Sequence, residues 1–283
     1  TRILTITGMA AAFTVLFGAP LGSAIFALEI LHRRGLQYYE ALLPAILGSL
    51  SGYAVYVLLT GTGLSPIWHL PGTDIIHSID FAWAVVAGVG GAITAVAFTY
   101  LNMLGRWLFR RLGPTLRPVA GGLALGLLAF WSPFALTFGE AQINPMAARR
   151  AVVSVFVVAA LAKLIGTTVT NTSGWRGGFI IPLFFIGVCL GRLLHVYVPS
   201  THEAVLIAAF MAATNTGVTK TPIGSTLVVS EMAGLHVLPT TLIAAVIALF
   251  LTSEVGLIHS QQEREGAFET AGPTDEERLD GAA

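Results

Sequence analysis

Charged residues are scarce in this chain, and their scarcity excludes several kinds of protein. Only 11% of the 283 residues are charged, whereas about a quarter is typical of a soluble domain. The formal net charge is zero and no basic stripe is present, so we expect no nucleic-acid partner. The single cysteine, Cys189, excludes an intrachain disulfide and a cysteine-rich metal site.

Sequence motifs of membrane-embedded enzymes are also missing. The pair His202-Glu203 lacks the second histidine, four residues after His202, that a zinc-protease helix requires. The stretch LGSLSG has Leu50 where the Gly-x-Ser-x-Gly motif needs its central serine. No Gly-Lys-Ser/Thr phosphate loop is present. We therefore expect no enzymatic activity, no catalytic residue and no cofactor.

Apolar sequence is what the chain has in abundance, with 55% hydrophobic residues and a mean hydropathy of +0.79. A membrane-spanning helix needs about 20 apolar residues. Six runs reach that length: Ala41–Thr60, Phe81–Gly105, Pro118–Phe138, Ala151–Thr170, Gly178–Val198 and Val237–Ile258. Four are shorter or interrupted: Ile3–Phe17, Leu21–Leu31, Ala204–Thr214 and Ile223–Leu235. Because short segments cannot cross a bilayer alone, they must be covered by protein or reached by water.

Two of the short segments carry the same phrase. The sequences APLGSAIFALEI and TPIGSTLVVSEM occupy residues 19–30 and 221–232, so they lie 202 positions apart. The spacing from proline to glutamate is nine residues in both, Pro20 to Glu29 and Pro222 to Glu231. Paired short helices at matching positions of two halves are typical of transporters and lie around the transport pathway. The phrase therefore indicates one structural unit used twice.

The stretch TNTSGWRGGFIIPLFFIGVCLG, residues 170–191, predicts a helix that begins inside the membrane. Proline in the first turn, at Pro182, with Gly177 and Gly178 just before it is typical of a helix start. Such a start offers backbone N–H groups and the positive end of the helix dipole to an anion. An ordinary capped helix entering the bilayer is the alternative, and the duplicated broken helices favour the anion site.

Charge placement predicts the topology. Basic residues follow the first phrase and the Phe81 run, at Arg33, Arg34, Arg106, Arg110, Arg111 and Arg117. Two crossings separate the clusters, so both are expected on the cytoplasmic side. The loop 61–80 is then extracellular. We interpret its Trp68, His69 and His77 as interfacial anchors and solvated loop rather than as a metal site, and we expect the charged tail to be disordered.

These features resemble the CLC family of chloride channels and chloride/proton antiporters. GMAAAFTVLFGAPLGSAIFALEI is similar to the family's paired short helices, GWRGGFIIPLFFIGVCLG to its filter motif Gly-Gly-x-Phe-x-Pro, and TPIGSTLVVSEM to the matching helix of its second half. The resemblance implies an all-α membrane protein with an inverted-repeat, CLC-like transporter fold of broken, tilted helices. It assigns 1–60 to the last helices of the first repeat, 61–258 to the second repeat, and 259–283 to a final segment and charged cytoplasmic tail.

The resemblance also implies the assembly and the site. A homodimer is expected through the short helices 20–30 and 222–232 and the long helices after them, in the plasma membrane of a bacterium. Anion ligands are expected at the backbone of Gly178, Phe179 and Ile180. The motif's phenylalanine is replaced by Ile180. His259 falls nearest the family's pore-lining tyrosine, and it is either a pore residue or a solvated histidine. The family's gating glutamate motif is expected about 20 residues upstream of Thr1 if the repeat geometry holds, so we read the chain as an N-terminally truncated fragment.

The expected function is transmembrane transport of chloride or a similar small anion. In the resembling antiporters the inner proton-transfer glutamate falls one residue after Glu29, where this chain has Ile30. We therefore predict passive, channel-like conduction, with a proton-coupled chloride or fluoride antiporter as the alternative and a structural subunit as a remote one. Glu29 and Glu231 are read as carboxylates that cap or anchor short helices. Lys163 is expected at a helix end by snorkelling.

Overall fold

A computed structural model describes residues 2–31, 37–61, 68, 70, 76–175 and 177–257. These residues form eleven α-helices and two 3₁₀ turns, with no strand among them. The predicted all-α class is therefore confirmed. The helices are α1 Arg2–Phe17, α2 Pro20–Leu31, α3 Gln37–Thr60, α4 Ser78–Arg110, α5 Leu116–Trp131, α6 Glu140–Ala147, α7 Val153–Thr172, α8 Ile180–Tyr197, α9 Glu203–Thr219, α10 Pro222–Ala233 and α11 Leu238–Leu251.

Helix length divides the chain into spanning and broken elements. Within the described ranges, four helices are long and apolar enough to cross a membrane: Glu40–Thr60, Ser78–Arg110, Val153–Thr172 and Ile180–Tyr197. Shorter apolar helices accompany them, including Ile3–Phe17, Pro20–Ile30, Glu203–Thr219 and Pro222–Ala233. Long and short helices together are the architecture of a polytopic membrane protein with broken helices.

Two of the six long apolar runs do not form single spanning helices. The run Pro118–Phe138 is interrupted because α5 ends at Trp131 and Pro133 begins a 3₁₀ turn. The run Val237–Ile258 is interrupted because α11 ends at Leu251, where Thr252 begins a polar turn. Both expectations were wrong for one reason: the apolar composition continues past the residue at which the helical backbone stops.

The breaks between paired short helices occur at equivalent positions of the two halves. Gly18 follows α1 with φ +66°, and Lys220 follows α9 with φ +59°, so both adopt the left-handed conformation. Each donates its backbone N–H over 2.8 Å to a threonine carbonyl four residues earlier. Proline then starts the next helix two residues later, where its missing N–H costs nothing. The repeated sequence therefore produces a repeated helix–break–helix unit.

Helices α2 and α10 cross antiparallel at the centre of this repeat. A Cβ on Gly22 would come under 3.0 Å from the backbone of Val228, and a Cβ on Gly224 equally close to the backbone of Phe26. The two contacts are equivalent, because Gly224 lies 202 positions after Gly22 and Val228 lies 202 positions after Phe26. The two glycines therefore permit the backbones to touch, and the predicted inverted-repeat fold is confirmed.

Helix α9 is the most enclosed element, with every residue from Ala204 to Thr219 buried. It packs against α4, α8 and α11. Trp68, predicted to be an interfacial anchor, instead lies 1% exposed in the adjoining core. Its ring meets Phe17 and Phe184 edge-to-face, with centroids 6.3 and 5.6 Å away. That prediction was wrong because aromatic rings of this size stabilise a core by burial as readily as they anchor an interface.

Candidate anion site at the start of helix α8

Helix α8 begins at Ile180, with Phe179 as the N-cap residue and Pro182 in the first turn. The Leu183 N–H donates to the Phe179 carbonyl over 3.0 Å, which closes the first turn. The first N–H groups of any α-helix have no partner within the helix. Among the residues that the structure describes, no side chain forms a cap hydrogen bond at this helix start. The start of α8 therefore presents donors and a positive dipole end without a side-chain acceptor.

The backbone just before the helix is open to an approaching ligand. Gly177 and Gly178 are exposed, and a Cβ on Gly178 would meet no atom within 4 Å. The predicted ligands Gly178, Phe179 and Ile180 are thus consecutive residues at one accessible helix start. Because the Phe179 ring lies 6.0 Å from that of Phe98 on α4, the side chain anchors the helix start while its backbone N–H remains at the site.

A buried amide holds the helix start in position. Asn215 of α9 is fully buried, and its Nδ2 donates to the carbonyl of Ile180 over 3.0 Å. This contact links the most enclosed helix to the candidate site. Sequence reasoning missed Asn215, although an asparagine in the otherwise apolar and threonine-rich end of α9 is a signal that could have found it. A polar side chain in such a helix normally has a specific partner.

Two cavities meet at this point. One, of about 290 Å³, has polar backbone and hydroxyl groups in its wall, contributed by Thr137, Thr167, Thr170, Gly177 and Gly178 among others. The other, of about 370 Å³, is lined by Asn102, Arg106, Asn171, Trp175, Gly177, Phe179 and Leu257. Among these described lining residues there is one cation and no carboxylate. The surroundings of the α8 start are therefore mostly apolar, with hydroxyl, amide and backbone groups and one cation among them, and are compatible with an anion.

His259, the fourth predicted anion ligand, lies outside the described residues and stays a prediction. Leu257, two residues before it and the last described residue, lines the same cavity as Phe179.

Lys163 is a buried cation close to the site. It lies fully buried within α7 rather than at a helix end, so the expectation of snorkelling was wrong. Its Nζ donates to the carbonyls of Leu136 and Thr137 over 3.0 and 3.1 Å. Both of these residues line the 290 Å³ cavity. The ammonium group thus donates to two backbone carbonyls that lie between the 3₁₀ turn that ends at Ala135 and the start of α6.

Glu29 and Glu231 bind across the repeat, each to the helix of the other half. The Glu29 carboxylate accepts from the N–H groups of Gly224 and Ile223 over 2.7 and 3.3 Å. The Glu231 carboxylate accepts from the N–H of Gly22 over 2.8 Å. Ile30, one residue after Glu29, is instead buried in the main apolar core. Negative groups at helix N-termini are stabilised by the dipole as well as by the hydrogen bonds.

A separate cluster of charges lies where α8 ends and α9 begins. Arg192 forms an ion pair with Glu203 and donates to the carbonyl of Arg149. Together with Arg150 and His195, these charges line an open cavity of about 900 Å³. Positive groups therefore occur at both ends of α8, Arg106 near its start and Arg150 and Arg192 near its end.

The fold and this site define an integral membrane protein of the inverted-repeat type. A family model described as voltage gated chloride channel matches residues 1–253. The chain belongs to this family, as its resemblance to the CLC proteins predicted.

Two curated relatives that are similar to this chain are described as chloride channel proteins. A chloride/fluoride channel protein of Pseudomonas syringae pv. tomato is 27% identical, with 92% of this chain and 58% of the relative covered. The voltage-gated ClC-type chloride channel ClcB of Shigella flexneri is 28% identical, with 85% and 59% covered. The chain thus spans about three fifths of the length of these curated relatives.

Two solved structures show the same fold. A CLC-type fluoride/proton antiporter is similar with a TM-score of 0.79 and 24% identity, over 92% of this chain and 65% of the other. A slow cyanobacterial Cl⁻/H⁺ antiporter is similar with a TM-score of 0.73 and 20% identity, over 89% and 61%.

The reciprocal carboxylate contacts generate a stability prediction. Glu29→Ala and Glu231→Ala should each lower the free energy of unfolding by about 1–2 kcal/mol, because each leaves helix N–H groups without an acceptor. Glu29→Gln should cost less, since the amide oxygen still accepts. Thermal unfolding of the detergent-purified protein measures the effect. Glu254→Ala, at an exposed turn, is the control, and losses no larger than its own would contradict the capping role.

Proposed function

We propose that the protein transports chloride or a similar small halide across a lipid bilayer, and that this chain supplies the part of the pathway at the start of α8. The observation that carries the proposal is the accessible helix start at Gly178, Phe179 and Ile180, which has no side-chain cap. A dehydrated anion needs partial positive charge around it. Backbone N–H groups and a helix dipole supply that charge without a fixed ion pair that would hold the anion too tightly.

The placement of cations supports an anion pathway. Arg106 lines the cavity beside Phe179, and Arg150 lines the larger cavity at the far end of α8. Clefts with an excess of one sign of charge concentrate ions of the opposite sign, and in the larger cavity Arg150 and Arg192 outnumber the carboxylate of Glu203. The intramembrane carboxylates Glu29 and Glu231 are bound to helix N-termini, which keeps their charge away from the site. An anion would therefore meet cations at both mouths and donors between them.

We propose passive, channel-like conduction as the mode of transport. Ile30 occupies the position of the antiporters' inner proton-transfer group, and its side chain is packed into the apolar core, where a proton would be desolvated without a partner. Glu29 faces a different element, the start of α10. Proton-coupled exchange of chloride or fluoride is the second candidate, and it is favoured by the description of both similar structures as antiporters.

The membrane environment and the assembly complete the proposal. The chain is an integral membrane protein, and the bacterial relatives favour a plasma-membrane location. We propose a homodimer through α2, α10 and the helices that follow them, the long α3 and the shorter α11. Leu21 on α2 and Ile223 on α10 are each about half exposed, and Leu43 and Leu47 on α3 are exposed as well. Apolar faces that match in shape can associate inside a bilayer.

Cross-linking tests the dimer. The chain's one cysteine, Cys189, is buried, so a cysteine introduced at Ile223 should be the reactive one. Ile223→Cys in lipid vesicles should give a cross-linked dimer on gels, whereas Phe130→Cys, 93% exposed on α5, should not. Equal cross-linking at both positions, or monomer at both, would refute the interface.

Removing one backbone donor tests the anion site. Phe179→Pro deletes the Phe179 N–H, whereas Phe179→Ala deletes the same ring and keeps the N–H, so the pair isolates the donor. A hydrogen bond to a charged group contributes about 1.5–3 kcal/mol, so the proline variant should bind halide about ten- to a hundredfold more weakly than the alanine variant. Halide affinity and flux are measured on the full polypeptide in vesicles. Equal halide binding by the two variants would rule out this helix start as the site.

Proton movement distinguishes the two transport modes. Liposomes that contain the full polypeptide should dissipate a chloride gradient without moving protons uphill, because Ile30 offers no proton acceptor. A pH electrode and a chloride electrode in the same chamber measure both fluxes, and the experiment is repeated with fluoride. Uphill proton movement at a fixed ratio to the anion would establish the antiporter instead. No flux of either anion would favour a structural subunit.

A further inference from the structure

A cluster of metal-ligating side chains lies away from the anion site, at the opposite end of α4 from Arg106. His77 directly precedes α4, Asp80 lies in the first turn of α4, and His202 directly precedes α9. The ligand atoms of these three side chains all lie within 4.8 Å of one another. The cluster therefore joins two helix starts that are 122 positions apart between Asp80 and His202.

The geometry of the cluster is compact around a buried carboxylate. Asp80 is fully buried, and its Oδ2 lies 2.8 Å from Nδ1 of His202. The same oxygen accepts from the backbone N–H of His77 over 2.8 Å, and Oδ1 accepts from that of His202 over 3.4 Å. The two imidazole rings lie side by side with centroids 4.6 Å apart and are tilted by 41° relative to each other. The Asp80 carboxylate thus accepts hydrogen bonds from the backbone of both His77 and His202, and the two imidazole rings lie next to it.

Capping alone does not account for this arrangement. His77 and Asp80 form the capping box at the start of α4, but that box does not require the His202 imidazole, which lies 2.8 Å from the Asp80 carboxylate. Two imidazoles and one carboxylate form a donor set for divalent transition metals, in which three protein ligands leave a fourth position to water. His77 is exposed and His202 half-buried, so water reaches that position. A carboxylate has about four lone-pair positions, enough for the backbone bonds and a metal ion together.

We propose that His77, Asp80 and His202 form a binding site for a divalent transition metal ion, with Zn²⁺ as the ion that fits the donors best. The bound ion connects the starts of α4 and α9, two helices that pack along each other. The sequence favoured an interfacial or solvated role for His77, because its partner His202 belongs to a distant segment. The site is independent of anion transport, so its test uses metal binding rather than flux.

Zn²⁺ titration of the detergent-purified full polypeptide, after removal of any histidine tag, tests the site. Calorimetry should show one Zn²⁺ bound per chain, and the thermal unfolding midpoint should rise with Zn²⁺ concentration because the ion binds the folded state. With Co²⁺ in place of Zn²⁺, visible absorption bands should report nitrogen and oxygen coordination.

Single-ligand variants locate the ion. His77→Ala and His202→Gln should each weaken Zn²⁺ binding by about tenfold or more, since even groups outside the ligand set change metal affinity by about 10–100-fold. His236→Gln, which alters a histidine outside the cluster, should leave binding unchanged. His77 is exposed, so its variant tests binding with little risk to folding. Asp80→Asn can keep only one of the two backbone contacts, because the amide NH₂ that replaces the other oxygen cannot accept a hydrogen bond; it should also weaken the site.

Two results would overturn the proposal. One is wild-type protein whose unfolding midpoint and calorimetric heat do not respond to Zn²⁺. The other is Zn²⁺ binding that His77→Ala and His202→Gln leave unchanged, which would place the ion at other residues.

Discussion

Every helix that ends inside a bilayer leaves backbone N–H or C=O groups that need a hydrogen-bond partner, and this requirement governs the structure. Glu29 and Glu231 supply acceptors to the starts of α10 and α2. Lys220 supplies a donor to carbonyl groups at the ends of α9 and α11, at Gly217 and Thr252. Broken helices inside the membrane are stable here because charged side chains that would be costly alone each satisfy backbone groups.

The start of α8 is the contrasting case. Its backbone donors have no side-chain cap, although Asn215 fixes the adjacent carbonyl. Within the described residues, the chain therefore applies two solutions to the same physical problem. The starts of α2 and α10 are closed by carboxylates, whereas the start of α8 is the one that we propose for an anion.

Much of this was predictable from sequence, because the signals were local. The nine-residue spacing from Pro20 to Glu29 and its copy gave the repeat, and the glycines before Phe179 gave the helix start. The partners of Glu29 and Glu231 were not predictable, since each contact joins residues about two hundred positions apart. Lys163 and Trp68 were misplaced for a related reason. Composition shows that a charged side chain is costly to bury or that an aromatic ring is large, but only the packing shows which groups surround it.

The crossing of α2 and α10 has the form of an isologous contact, in which residue i of one unit meets residue j of the other and the reverse. In a dimer of two identical halves, symmetry would produce both carboxylate contacts together. Any substitution would then appear at both equivalent positions. Because the two halves are joined in one chain, equivalent positions need not have the same residue. Phe26 and Val228 occupy equivalent positions opposite Gly224 and Gly22, yet they differ in size. A fused chain can thus keep a symmetric frame while each half acquires residues that the other does not share.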